Sequence, residues 1–326
     1  QGAVSLLERT GVVDCLSFGS ESGDLIPLQR IAQALADPDY PEILSLYRLT
    51  SGRPFAAARQ MAVADLVGEA AAAHLEHPND ILAVEYLRAL DRLGSAIRPL
   101  AIPRQGPAHD QPQPQGALAS ASALRRIILD GRDSTPYLPG PMAAALAKER
   151  AAGRAPASLA AVERAILSQL RRMGPEELAV YDRGREGLCH RLYRAVQSGA
   201  NLQEVLDLAK TRRYPMARLR RMVLHAWLGL DLTALPEEPP YLRVLAIGRQ
   251  GRQLLRRMKE TARLPVLVRP SQTRALPPQA AALLEQEGRW TDLYTLAWPV
   301  PTVPGEEFRR GPVFPPVQLE GKEEEL

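Results

Sequence analysis

The sequence predicts an α/β fold for the first part of the chain, followed by a helical domain with a small appended α/β unit. Three observations carry this expectation. The apolar segment Val12 to Phe18 stops abruptly and gives way to Gly19-Ser20-Glu21-Ser22-Gly23-Asp24, as at the carboxyl end of a buried strand, where small residues let a ligand approach the backbone. From Ala155 to Leu230 the pattern is helix after helix. Tyr241 to Val268 then runs in strand, turn, helix, strand order.

The domain spans expected are 1–150 for the α/β part, 151–235 for the helical domain, 236–300 for the small unit and 301–326 for a disordered tail. With 326 residues, 45% apolar and 24% charged, the chain can bury a sizeable core. No apolar run approaches the roughly 20 residues needed to span a bilayer, so a membrane partner is not expected. Cys15 and Cys189 lie far apart and have no cysteine at metal or redox spacing. That excludes a disulfide framework and fits a reducing cytoplasm. The first nine residues carry neither methionine nor a signal peptide and read as a helix already under way, so a missing beginning is expected.

The net charge of +4 conceals an asymmetry. Residues 1–100 hold thirteen acids against eight bases, and the remainder is correspondingly basic. A polyanion is therefore expected to bind mainly through the second half.

In the α/β part, Leu25 to Ala36 and Pro41 to Leu49 read as short helices, and Pro54 opens an alanine-rich one. Pro78 begins another helix, with Asn79 or Asp80 available as N-cap. Beside a strand end, Asn79 could equally offer a donor and an acceptor to a base or ribose. Ala96 to Ile102 reads as a second strand, with Arg104 just past its end. Beyond the mobile loop expected at 106–116, Ser120 and Ser122 feed an amphipathic helix. They serve as caps, and with Arg125 they also suit a phosphate beyond the helix N-terminus.

In the helical region Lys210, Arg212, Arg213, Arg218, Arg220 and Arg221 occur with no acid among them, close to Tyr214 and His225. Such one-sided charge with an interleaved aromatic is either a solvated face or a surface for phosphates. Gly248-Arg249-Gln250-Gly251, followed by Arg252, is similar to loops that clamp a nucleic-acid backbone.

Five segments come in the order and with similar gaps to those of the bacterial tRNA(Met) cytidine acetate ligases, which the chain resembles from Gln1 to Pro270. They are Phe18-Gly19-Ser20-Glu21, Pro78-Asn79-Asp80-Ile81-Leu82, Arg104 with His109-Asp110, Ala119-Ser120-Ala121-Ser122-Ala123-Leu124-Arg125, and Arg213-Tyr214 with Arg218 and Arg221. The resemblance implies a nucleotidyltransferase (Rossmann-like) domain, partial in this chain and similar to that of class I tRNA synthetases. It also implies an enzyme that activates acetate with ATP and acetylates N4 of the wobble cytidine of elongator tRNA(Met). ATP, with Mg2+, would meet Gly19, Asn79, Arg104, Ser120, Ser122 and Arg125. The tRNA would meet Arg212, Arg213, Arg218, Arg220, Arg221, Arg249 and Arg252, and neither DNA nor a dedicated metal site is implied.

Two departures qualify the resemblance. The family's phosphate-binding His-x-Gly-His does not occur in this sequence, and His74-Leu75-Glu76-His77 is no substitute. No catalytic residue of the family is therefore expected here, and the expectation is a chain that folds in part around an open pocket and has little or no ligase activity alone. Asp80 also stands where a second asparagine is frequent, and Pro103 where a lysine is. The competing readings are a noncatalytic RNA-binding protein and another nucleotidyltransferase, such as one acting on a phosphate ester.

Overall fold

The computed structural model describes residues 1–50, 55–106, 111–182 and 187–314. In chain order the first elements are α1 (Gly2–Thr10), β1 (Cys15–Ser20), α2 (Leu25–Ala34), α3 (Tyr40–Thr50), α4 (Phe55–Val67), α5 (Glu69–Ala72), α6 (Pro78–Leu93) and β2 (Arg98–Pro103). They are followed by α7 (Ala121–Leu129), α8 (Gly140–Ala151), α9 (Leu159–Arg172), α10 (Pro175–Ala179), α11 (Leu188–Ser198), α12 (Leu202–Ala209) and α13 (Met216–Leu228). The last are β3 (Leu242–Arg243), α14 (Gly251–Thr261), β4 (Val266–Leu267), α15 (Pro278–Thr295) and α16 (Glu306–Arg309). Pro54 and His109-Asp110 lie outside the described residues.

The chain divides into two compact units. One comprises residues 1–124, 237–268 and 312–326, the other 125–236 and 269–311. In the first, β1 and β2 pair in parallel with Gly19 opposite Ile102 and Ser20 opposite Pro103. Pairing thus carries β1 two residues past the apolar run, which places Gly19 inside the strand. One face of this pair contributes Phe18 to a core with Leu28, Ile31, Val63, Val84 and Leu87. On the other face Leu100 and Ile102 stay half-exposed.

The spans expected from sequence divide the chain differently from these units. Segment 237–268 groups with residues 1–124, and backbone contacts explain why. The Arg263 N–H donates to the Arg9 carbonyl at 2.9 Å, Thr261 Oγ1 to the Thr10 carbonyl at 3.0 Å, and Arg9 pairs with Glu238. β3 and β4 are parallel across α14 but only two residues each, shorter than the apolar runs containing them.

The second unit buries Ile166, Leu170, Leu188, Leu192, Val205 and Leu219 from α9, α11, α12 and α13 in one core. Caps set its helix starts: Ser158 accepts from the Ala160 N–H, and Asn201 from the Glu204 N–H. The 18-residue α15 was not expected from the proline-rich sequence after Pro270. Its prolines stand ahead of the helix and at its first turn, where a missing N–H costs nothing. Nor does all of the expected disordered tail 301–326 lack structure. α16 anchors through Glu307 to Thr291 and through Gly305 N–H to Asp292, while the Val313 N–H donates to the Leu245 carbonyl. Residues 315–326 lie outside the described residues. Among the described residues no helix is long and apolar enough to cross a membrane.

Gly11 ends α1 at φ 67°, and a Cβ there would meet the Thr261 Cβ at 2.7 Å. Gly68 has φ 89° but open space around it. Gly11→Ala is therefore expected to cost more than the ~1 kcal/mol of left-handed strain alone, and Gly68→Ala about that amount; urea unfolding of the two variants checks the difference.

Candidate functional site

The candidate site lies where β1 ends beside the start of α6. Gly19 and Asn79 line one pocket of about 290 Å³, with Ser17, Phe18, Leu82 and Tyr86 around them and Ala3, Val4 and Leu7 of α1 on a further side. Gly19 is exposed and a Cβ on it would touch nothing, so its backbone is open to a ligand.

The first N–H groups of a helix need acceptors. Here the N-cap position of α6 is His77, whose side chain gives no cap hydrogen bond. The acceptor comes from β1's exit: Glu21 takes the Asp80 N–H at 2.9 Å and the Asn79 N–H at 3.3 Å. Neither Asn79 nor Asp80 is therefore the N-cap expected from sequence. Glu21 Oε1 also accepts from Asn79 Nδ2 at 2.7 Å and lies 3.9 Å from Arg104 Nη1. The Arg104 backbone is fixed in turn, its N–H donating to the Ser20 carbonyl at 2.8 Å. One carboxylate thus ties together two of the sequence-predicted ATP residues, Asn79 and Arg104.

Asp80 has no exposed surface, yet it is fully engaged. It accepts from the Ser20 hydroxyl and the Glu21 N–H, and His74 Nδ1 lies 2.9 Å from its second oxygen. Burial pushes this carboxyl up, but hydrogen bonds from Ser20, His74, and the Ser22 and Glu21 backbones outweigh it and hold the group below the ordinary carboxylate range. Asp80 is thus the buried anchor of the turn. The sequence reading assigns Glu21 and His74 no role and Asp80 only that of an N-cap, because their partners are up to 60 residues away.

The remaining predicted residues sit as follows. Ser120 is buried and caps α7, accepting from the Ala123 N–H at 3.1 Å and donating to the Gln111 carbonyl at 2.6 Å. Its hydroxyl stands 3.0 Å from that of half-buried Ser122. Arg125 is exposed on α7. None of these three lines the pocket of Gly19 and Asn79. Arg212, Arg213, Arg220 and Arg221 are exposed, as are Arg249 and Arg252. Arg218 differs: its guanidinium pairs with buried Asp182 at 2.8 Å and lies 5.6 Å from the Tyr214 ring centre, with Arg213 at 5.8 Å from the same ring. Among the described residues no group of His, Cys, Asp and Glu is placed to hold a metal ion.

A parallel strand pair opening onto a helix start is the geometry of a nucleotide-binding α/β fold, and comparison with known proteins gives the class as nucleotidyltransferase. The family model described as HIGH Nucleotidyl Transferase matches residues 1–305. A tRNA(Met) cytidine acetate ligase of Thermoanaerobacter sp. (strain X514) is 33% identical over 94% of this chain and 77% of its own length. The ligase of Syntrophotalea carbinolica is 35% identical over 92% and 75%. The crystal structure of apo Thermotoga maritima TmcAL superposes with a TM-score of 0.89 at 28% identity, covering 96% of this chain and 79% of that one. TmcAL bound with alpha-thio ATP gives 0.87. The chain belongs to the tRNA(Met) cytidine acetate ligases, a family of enzymes with the nucleotidyltransferase-like α/β fold.

Asp80→Ala would strand the Ser20 hydroxyl and the Glu21 N–H, at a cost of roughly 3 kcal/mol. Because the folded carboxyl lies below its unfolded value, the stability that it contributes is present above the unfolded value and is lost as pH falls through the folded one. In Asp80→Asn this acid-side loss is expected to shrink, as read from urea midpoints at neutral pH and in the acid range.

Proposed function

We propose that this chain acts in an ATP-dependent ligase that activates acetate and transfers its acetyl group to N4 of the wobble cytidine of elongator tRNA(Met). The observation that carries this reading is that Asn79, which lines one pocket with Gly19, is held by the Glu21 carboxylate that also lies beside Arg104, in a chain of this family. The relative solved with alpha-thio ATP supports ATP as the nucleotide.

In the first step an acetate oxygen attacks the α-phosphorus of ATP, acetyl-adenylate forms and pyrophosphate leaves. In the second, cytidine N4 attacks the acetyl carbonyl, loses a proton and releases AMP. The first transition state gathers negative charge on the α-phosphate and the leaving group, which cations must meet. Arg104, beside Glu21, is one candidate and Arg125 a further one. Gly19 allows close approach of the nucleotide, and Asn79 orients its base or ribose. Ser120 and Ser122 would reach the phosphates only by giving up part of their present hydrogen bonding. Mg2+ would arrive on the ATP phosphates.

The tRNA is met by Arg212, Arg213, Arg220 and Arg221, and by Arg249 and Arg252 ahead of and on α14. Arg218 contributes by holding Tyr214 and Asp182, a positioning part. A reducing cytoplasm suits such a protein. The 326 residues contain five histidines and no His-x-Gly-His, so these residues alone are expected to release little or no pyrophosphate from ATP in an acetate-dependent manner.

Calorimetry is expected to detect ATP binding that weakens about tenfold in Arg104→Ala, from loss of one charge-assisted contact; unchanged affinity would remove Arg104 from the site. The Arg212→Glu, Arg220→Glu, Arg221→Glu variant is expected to bind elongator tRNA(Met) more weakly, with a shallower salt dependence, and gel shifts across a salt series measure both.

A further inference from the structure

The second unit holds a cleft of about 650 Å³, within the size range of small-ligand sites, that the ligase reading does not use. Its walls are two helices. α13 buries Leu219, Met222, Val223 and Ala226 in the core and turns Leu224, Trp227 and Leu228 to the cleft. α15 presents Glu287, Trp290, Thr291 and Tyr294, the i, i+3, i+4, i+7 spacing of a single helix face. The walls are fixed to each other, since Trp290 Nε1 donates to the Leu228 carbonyl at 3.1 Å. Tyr294 remains half-exposed at the mouth, and Glu307, which accepts from Thr291, stands on the same rim.

Along α13 the spacing is equally informative. Arg220, Leu224 and Trp227 follow at i, i+4 and i+7, and Arg221, Leu224 and Leu228 at i, i+3 and i+7. The exposed arginines therefore lead one turn at a time into the aromatic cleft. Cations that meet a backbone beside aromatic rings that accept a base are the physical requirement for holding single-stranded nucleic acid.

We propose that this cleft takes one unstacked base of the bound RNA, stacked against Trp227 and Tyr294, with the adjoining phosphates on Arg220 and Arg221. The inference rests on the RNA-binding part of the proposed function and names which structural feature of the RNA this unit reads.

The test is elongator tRNA(Met) binding by fluorescence anisotropy over a salt series, with Trp227→Ala, Tyr294→Ala and Trp227→Phe compared with the unaltered 326-residue chain. Loss of one stacked base is expected to raise Kd roughly tenfold in each alanine variant while leaving the salt slope unchanged. Trp227→Phe should retain most of the affinity, and ATP binding should not move. Folded alanine variants that bind tRNA as tightly as the unaltered chain would overturn the cleft as a base site. If the unaltered chain binds no RNA at all, the RNA partner of the proposed function fails as well. ATP binding that survives in that case keeps the nucleotide site separate.

Discussion

The carboxylates of Glu21 and Asp80 hold the first unit's site in place. β1 must deliver its last residues to the start of α6, and the joint is made by charge against dipole. Glu21 supplies the acceptor for the first N–H groups of α6, and Asp80 returns from α6 to hold Ser20 and the Glu21 backbone. An anion at a helix N-terminus is stabilised by the unpaired N–H groups and the helix dipole. A buried carboxylate survives only when its lone pairs are filled, as those of Asp80 are. The reciprocal pair fixes both the height of Gly19 on the strand and the direction of Asn79, so the pocket is set by a polar joint rather than by apolar packing alone.

The same joint carries a functional consequence. With Glu21 already seated on the N–H groups of α6, that helix start is electrostatically occupied, and the nucleotide's own charge must be met elsewhere. Arg104, held beside the strand end by its N–H to Ser20, is the cation within reach of Glu21. Glu21 Oε1, 3.9 Å from Arg104 Nη1, holds that guanidinium beside the strand end.

In the second unit the arginines separate into two kinds that the sequence presents as one run. Arg212, Arg213, Arg220 and Arg221 stand in solvent, where phosphates can reach them. Arg218 is drawn inward by buried Asp182 and the face of Tyr214. It is a brace that keeps the start of α13 in register, and the exposed side of α13 then runs from arginine to tryptophan. Exposed arginines and a cleft-lining tryptophan thus follow from the winding of one helix.

Much of this was legible in the residues. The period of apolar positions located α2, α6, α9, α11, α12 and α13, because an amphipathic helix must show one face to the core whatever surrounds it. The order of the Gly19, Asn79, Arg104 and Ser120 segments pointed to the family, since a chain's order is retained whatever its folding distances. Other features depended on partners remote in sequence. α15 was hidden behind its prolines, which look like loop residues until the helix beyond them packs. The strand ends shifted because pairing between β1 and β2, not composition, decides where a strand stops. Segment 237–268 joined the first unit through contacts with Thr10 and Arg9. The sequence by itself therefore determined the family and most of the helices. Only the tertiary structure decided that Glu21 and Asp80 hold it, that Arg218 braces while its neighbours remain exposed, and that Arg220 leads to Trp227 beside α15. Hydrogen bonds and ion pairs between residues tens of positions apart have no local pattern from which they could be read.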